Sequence, residues 1–199
     1  MSPRKVFPRS SQSHERAAGD VLTRFAVSDG WTPSLPVPIE RIVDSRFNLS
    51  ILWDVLEEPA GEMILGVLQP QERRIVLNER HAPLFDSVIG PERFTLAHEL
   101  GHWIYDADDP DQVSLFDEPD GAGTVFCRGW SPAKADLREV NANKFAGTLL
   151  LPTALVRVAL TQPLPSWAAV EQIAADWGVS KETLTIRLRD LGMRDFLPS

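Results

Sequence analysis

The chain has 199 residues, 43% of them hydrophobic and 24% charged, enough to bury a sizeable core as one soluble domain with a small helical appendage. Its formal net charge of -8 and pI near 5.0 work against nonspecific attraction to nucleic acid as a main activity, and a protein or peptide substrate is easier to accommodate. No apolar run is long enough to span a bilayer, the N-terminus lacks an apolar leader core, and the single cysteine, Cys127, permits no internal disulfide, so a cytoplasmic protein without a membrane partner is expected.

Residues 1–12 combine Arg4, Lys5 and Arg9 with Pro3, Pro8 and several serines, the composition of a disordered basic tail. From 13 to 27, Ala17, Val21, Leu22 and Phe25 recur at helical spacing. Gly30, Pro33, Pro36 and Pro38 then break the chain into an extended connector. Pro38 suits the first turn of a short helix that turns Ile39, Ile42 and Val43 inward. Three strand-like runs follow at 49–56, 63–68 and 74–77, separated by turn-rich segments, and predict a small antiparallel sheet. An exposed edge of such a sheet can take an extended peptide as an added strand, although which strand is the edge cannot be read from the spacing. Residues 82–89 predict another short helix.

Pro91 stands where a first-turn residue belongs, ahead of a helix ending near Asp106. That helix carries the one stretch whose spacing asks for an explanation beyond folding, the H-E-x-x-H of His98, Glu99 and His102. Residues four apart lie above one another on a helix, so the two imidazoles can share one ion. Glu99 lies about 100° further round, where a carboxylate reaches a water at the metal rather than the metal itself, a general-base position. Leu96, Leu100, Trp103 and Ile104 fall on the side away from the histidines and make the helix amphipathic. Tyr105, at i+7 from His98, is a candidate to stabilise the oxyanion, with His81 a weaker one; packing is the competing role for Tyr105.

Residues 106–123 are rich in Asp, Pro and Gly but lack the EF-hand ligand spacing, which favours a solvated loop over a calcium loop. A catalytic zinc site needs a third protein ligand and one open position. A helix expected over 133–151 offers Asp136 and Glu139, and Asn143, one turn after Glu139, could hydrogen-bond a ligating histidine. Asn143 makes Glu139 the better choice, although spacing alone hardly sets it apart from an ordinary surface charge. Cys127 reads as a packed cysteine in preference to an inhibitory thiolate on the ion.

The segments 94–102 (FTLAHELGH), 126–128 (FCR) and 139–152 (EVNANKFAGTLLLP), in this order and separation, resemble the ImmA/IrrE family of zinc-dependent metallopeptidases. The resemblance continues more faintly over about 13–192. It implies an α+β fold in which a small antiparallel sheet packs on a zincin-type active-site helix. It also implies a peptidase domain over 13–152 and a helix-turn-helix-like helical subdomain over 153–199. Position by position it implies His98, His102 and Glu139 as ligands of one catalytic Zn²⁺, with Glu99 as the catalytic glutamate; manganese or iron can occupy such a site. Asn141 stands where many relatives carry an acid and Leu151 where methionine is frequent, departures that bear on the substrate rather than the chemistry.

Near the C-terminus, 167–192 reads as two helices around a turn, with Ser180 capping the second. Lys181, Arg187, Arg189 and Arg194 are nearly balanced by Glu182, Asp190 and Asp195, which favours packing or protein recognition over direct DNA binding. By resemblance, the expected activity is that of a metallo-endopeptidase, gluzincin-like, cutting a helix-turn-helix transcriptional repressor in stress or mobile-element regulation. The competing class is a partner-binding module of a toxin-antitoxin-like pair with a structural or vestigial metal site. Cleavage site, activating signal and oligomeric state are not encoded in any motif.

Overall fold

The computed structural model describes residues 8–87, 90–106, 125–128 and 137–198. Helix α1, Ser11–Asp29, begins two residues before the expected start, because Ser10 in an extended conformation accepts a hydrogen bond from the Ser13 amide. Residues 11 and 12 of the basic tail expected over 1–12 are thus helical. The Arg9 amide donates to Asn141 Oδ1 at 3.1 Å, so the chain is already tied down there, and residues 1–7 lie outside the described residues. After the proline-rich connector comes the expected short inward-facing helix, α2 (Ile39–Arg41), continued by a π-helical turn at Ile42–Arg46 with Ile39, Ile42 and Val43 fully buried.

Strands β1 (Ser50–Asp54), β2 (Ile64–Gln69) and β3 (Arg74–Asn78) fall within a residue or two of the expected runs. A fourth, β4 (Val125–Arg128), joins them from beyond the H-E-x-x-H helix, giving the order β1-β3-β2-β4. The sheet is mixed rather than antiparallel: β2 runs antiparallel to both β3 and β4, but β1 pairs in parallel with β3. The reason lies in the connections. A tight turn closes β2 onto β3, with the Arg73 amide bonded to Pro70 O, whereas the connector 55–63 is long enough for β3 to slot between β1 and β2. Alternate residues of the inner strands serve two layers. Leu68, Ile75 and Leu77 join the main core, while Ile64, Val67 and Val76 form a small cluster on the opposite face. The edges are β1 and β4.

Helix α3 (Ala82–Ser87) precedes α4 (Pro91–Asp106), whose bounds are those expected. Helices α5 (Leu137–Leu150), α6 (Thr153–Ala159), α7 (Trp167–Asp176) and α8 (Lys181–Asp190) complete the chain. The loop expected over 106–123 and the acid Asp136 lie outside the described residues. The architecture is α+β, with α4 between the sheet and α5. That position makes α4 more buried than an amphipathic surface helix. Leu96 and Leu100 are fully buried as expected, but so are His98, Glu99 and His102, while Trp103 and Ile104 are only partly covered.

The close approach of α4 and α5 depends on Gly101. A Cβ there would stand 3.1 Å from Ala142 Cα and 3.2 Å from Phe145 Cδ1, so a side chain would push apart the two helices that carry His98, His102 and Glu139. At the other end of α4, Arg93 donates from Nε to Gly178 O at 3.0 Å and from Nη1 to Glu40 Oε1 at 2.7 Å, and from Nη2 to Val37 O. One guanidinium thereby ties α4 to α2 and to the α7–α8 turn. Among the described residues, no helix is long and apolar enough to cross a membrane.

In the first turn of α1, His14 is buried with Nδ1 2.7 Å from Tyr105 Oη. Burial is the main influence lowering its pKa below the usual 6.5; the cations Arg9 and Lys144 add to it, and Glu15 opposes them. A histidine with a depressed folded-state pKa contributes stability that is present above 6.5 and is lost as pH falls, because the unfolded chain then takes up more protons. Denaturant midpoints at pH 7 and pH 5 should therefore differ more in the wild type than in His14→Asn. Parallel losses in the two proteins would remove His14 from the acid sensitivity.

Candidate metal centre

The His98 and His102 Nε2 atoms face each other at 3.0 Å on consecutive turns of α4. Helix α5 brings Glu139 across from the opposite side, with Oε2 3.3 Å from His98 Nε2 and Oε1 3.2 Å from His102 Nε2. Donor atoms of the three residues all lie within 4.8 Å of one another. Asn143, one turn after Glu139, places Oδ1 2.9 Å from His98 Nδ1. When Nδ1–H donates to that oxygen, Nε2 presents its lone pair to the centre of the cluster and the ring cannot turn away.

An electron-rich set of this kind calls for a cation. Three donors held tetrahedrally at about 2.0–2.1 Å from one ion lie about 3.3 Å apart, close to the spacings found here. The donor chemistry, two imidazoles and a carboxylate, also suits a divalent transition ion, although it does not select among zinc, manganese and iron. The residues present therefore fit a metal. Glu139 is the member of the cluster open to solvent, its side chain 26% exposed against 1% for each histidine.

Electrostatics separate the two glutamates. Burial alone would raise Glu139, and is its largest single influence. Hydrogen bonds from His102 and His98, together with their charges, outweigh it and bring the carboxyl down to about 2. Glu99 experiences the reverse balance. Burial dominates and pushes it up to about 7 against the opposing pull of His98 and His102, and the negative Glu139 adds to the rise. The Leu68 amide exerts a weak lowering influence, but neither Glu99 oxygen has a hydrogen-bond partner in proper geometry among the described residues. Two orphaned carboxylate oxygens in full burial are costly, and such a cost is ordinarily retained where the group acts on something that binds.

The structure thus brings together His98, His102, Glu139 and Glu99, and adds Asn143 as the partner of His98. It places Tyr105 differently. The Tyr105 hydroxyl is engaged with His14, its ring is edge-on to Phe145, and the Arg9 guanidinium lies 4.1 Å from its centroid. Burial pushes the phenol up to about 12. On this geometry, Tyr105→Phe should lower stability by about 1–2 kcal/mol and change kcat by less than about threefold. A loss of about 10²–10³ in kcat with unchanged stability would restore an oxyanion role. His81, the weaker candidate, is committed to Glu58, its Nε2 2.5 Å from Oε1. The contributions of Gly101 and His14 were not read from the sequence. Gly101 sits inside the motif itself, and a glycine on the inner side of a helix carrying ligands is a signal of close helix packing.

Residues 53–189 match Peptidase_M78, the IrrE N-terminal-like domain. No curated protein matches the chain. Among solved structures, a Mycobacterium tuberculosis transcriptional regulator resembles it in fold, with a TM-score of 0.50 and 20% sequence identity over 89% of this chain. The likeness covers 46% of that regulator, so the chain spans about half the length of this neighbour. The family match takes in most of the sequence and all four residues of the cluster, and the chain accordingly belongs to the IrrE N-terminal-like family of peptidases.

Proposed function

We propose that the chain is a metal-dependent endopeptidase, with zinc as the first expectation, that cuts a protein substrate in the cytoplasm. The observation that supports this reading most is the convergence of His98, His102 and Glu139 beside the unpartnered, fully buried carboxylate of Glu99. A divalent ion held by the two imidazoles and Glu139 would supply a Lewis acid for the scissile carbonyl and make water a better nucleophile near neutral pH. The chain's own residues do the rest. Asn143 keeps the His98 ring in the ligating orientation, and Glu139 supplies the anionic third donor. Glu99 takes a proton from the attacking water and passes it to the leaving amine. Glu99 and the two histidines are buried, so their charges act at low dielectric.

For the substrate, the reading follows the family resemblance: a helix-turn-helix transcriptional repressor, cut in a stress or mobile-element response. The C-terminal pair α7 and α8 is proposed as a helix-turn-helix-like packing unit rather than a DNA reader. Two of its cations are paired within the chain: Arg187, buried, to Glu15 at 2.6 Å, and Lys181, on the surface, to Glu171 at 2.6 Å. Metal content measured alongside cleavage of the repressor encoded next to this chain tests the reading. One equivalent of metal in the wild type, lost in Glu139→Ala together with cleavage, is the expected result. Full metal occupancy in Glu139→Ala would make another acid the third ligand. A wild type that binds metal but cuts nothing would favour the partner-binding alternative.

A further inference from the structure

A second concave site lies on the far side of α4 from the metal ligands. It is a cleft of about 590 Å³ between α1, the π-helical turn, the β2–β3 turn and Trp103 of α4. Three arginines line it, Arg24, Arg46 and Arg73, against a single acid, Asp20, leaving a local excess of two positive charges in a chain whose net charge is -8. Arg24 and Arg46 form no hydrogen bond or ion pair among the described residues. Two aromatic rings form part of the wall, each capped by a guanidinium: Arg73 lies 5.0 Å from the Trp103 centroid and Arg46 5.8 Å from that of Phe47.

The backbone beneath this site carries a further signal. Arg73 and Asn48 both adopt left-handed conformations, each with φ of 51°, and they face one another: Arg73 donates from Nε to Asn48 O at 3.3 Å and from Nη2 to Phe47 O. A turn of this kind is satisfied at lower cost by Gly or Asn, so an arginine there holds backbone strain in exchange for a guanidinium fixed at the mouth of the cleft. Unpaired cations, guanidinium-capped rings and a strained residue converge on one concavity, within the size range of small-molecule sites.

We propose that this cleft is a binding site for a small planar aromatic anion of the nucleotide type, with a phosphate held by the arginine fork and a ring stacked on the arginine–aromatic wall. Arginine is suited to both halves of such a ligand, since its planar fork matches phosphate oxygens and its face stacks on rings. A free inorganic anion would leave the aromatic wall unused, and an uncharged ring would leave the arginines unpaired. The site is independent of the peptidase reading, since none of its residues is a metal ligand or the buried glutamate.

Titration of the full chain, metal-loaded and metal-free, with adenosine monophosphate, adenosine and inorganic phosphate tests the site. Indole N–H resonances report the binding, with the Trp103 signal assigned from Trp103→Phe. Saturable binding of the nucleotide that shifts the Trp103 signal is expected, with adenosine and phosphate each at least about tenfold weaker. The double variant Arg24→Ala/Arg46→Ala should weaken nucleotide binding by about tenfold or more with little change in Tm, because neither side chain makes a hydrogen bond or ion pair among the described residues and Arg46 has only a loose contact with the Phe47 ring. Nucleotide affinity unchanged in the double variant, phosphate binding as tightly as the nucleotide, an unmoved Trp103 signal, or no saturation at millimolar nucleotide would each overturn the proposal. Saturation only by an acidic peptide would overturn it too, in favour of a protein docking site.

Discussion

Glu99→Gln is expected to lower kcat for peptide cleavage by about 10²–10⁴-fold while metal content stays at the wild-type level. The amide keeps the size and shape of the carboxylate, and Glu99 is not one of the three groups whose donor atoms converge, so the ion should remain. What the substitution removes is the capacity to accept and return a proton. The wild-type carboxylate is placed to exercise that capacity. Burial pushes its pKa up to about 7, and no described side chain or amide hydrogen-bonds either oxygen. A general base works best when its pKa lies near the operating pH and its lone pairs are unengaged. The variant should also be no less stable than the wild type, because a neutral amide costs less to bury than a carboxylate. Turnover in Glu99→Gln at the wild-type rate would remove Glu99 from the chemistry. Loss of metal in the same variant would instead make Glu99 part of the ligand set.

Helix α4 and its histidine pair are legible in the sequence because both depend on contacts within one helix: two histidines four residues apart share a face whatever surrounds them. The three early strands are legible for the same reason, each being a local run bounded by turns. Properties set by distant partners are not. The parallel pairing of β1 with β3 depends on how the connector 55–63 is routed, and β4 reaches the sheet only after α4 has been laid down. Glu139 and Asp136 look alike by spacing; Glu139 is distinguished because α5 packs on α4 at Gly101, bringing its carboxyl within 3.3 Å of both imidazoles. Tyr105 shows the limit of helical-wheel reasoning. The i+7 rule places its ring near the histidine side, but its hydroxyl is captured by His14, 91 residues earlier in the chain.

Arg187→Ala is expected to destabilise the fold by about 3 kcal/mol or more and lower Tm by roughly 6–12 °C. The Arg187 side chain is 6% exposed and joins three parts of the chain. Its Nε donates to Leu151 O at 2.9 Å, and its Nη2 donates to Glu15 Oε1 at 2.6 Å and to Thr153 Oγ1 at 3.1 Å. Thr153 Oγ1 in turn donates to the same Glu15 oxygen at 2.8 Å, so α1, the α5–α6 junction and α8 meet on one guanidinium. Truncation leaves the Leu151 carbonyl without its donor and a cavity beneath α8. The loss should stay near the lower end of the range for buried pairs because Glu15, 36% exposed, can recover hydration. Arg189→Ala, two residues on and exposed on the opposite face of α8, should shift stability by less than about 0.5 kcal/mol. The contrast between these two variants also bears on what α8 does. A recognition helix needs its arginines in water and free to meet phosphate, whereas this helix spends its central arginine inside the protein. Equal stability of Arg187→Ala and the wild type would show that α8 is not pinned by this residue, and would return its cations to the surface as candidates for nucleic-acid contact.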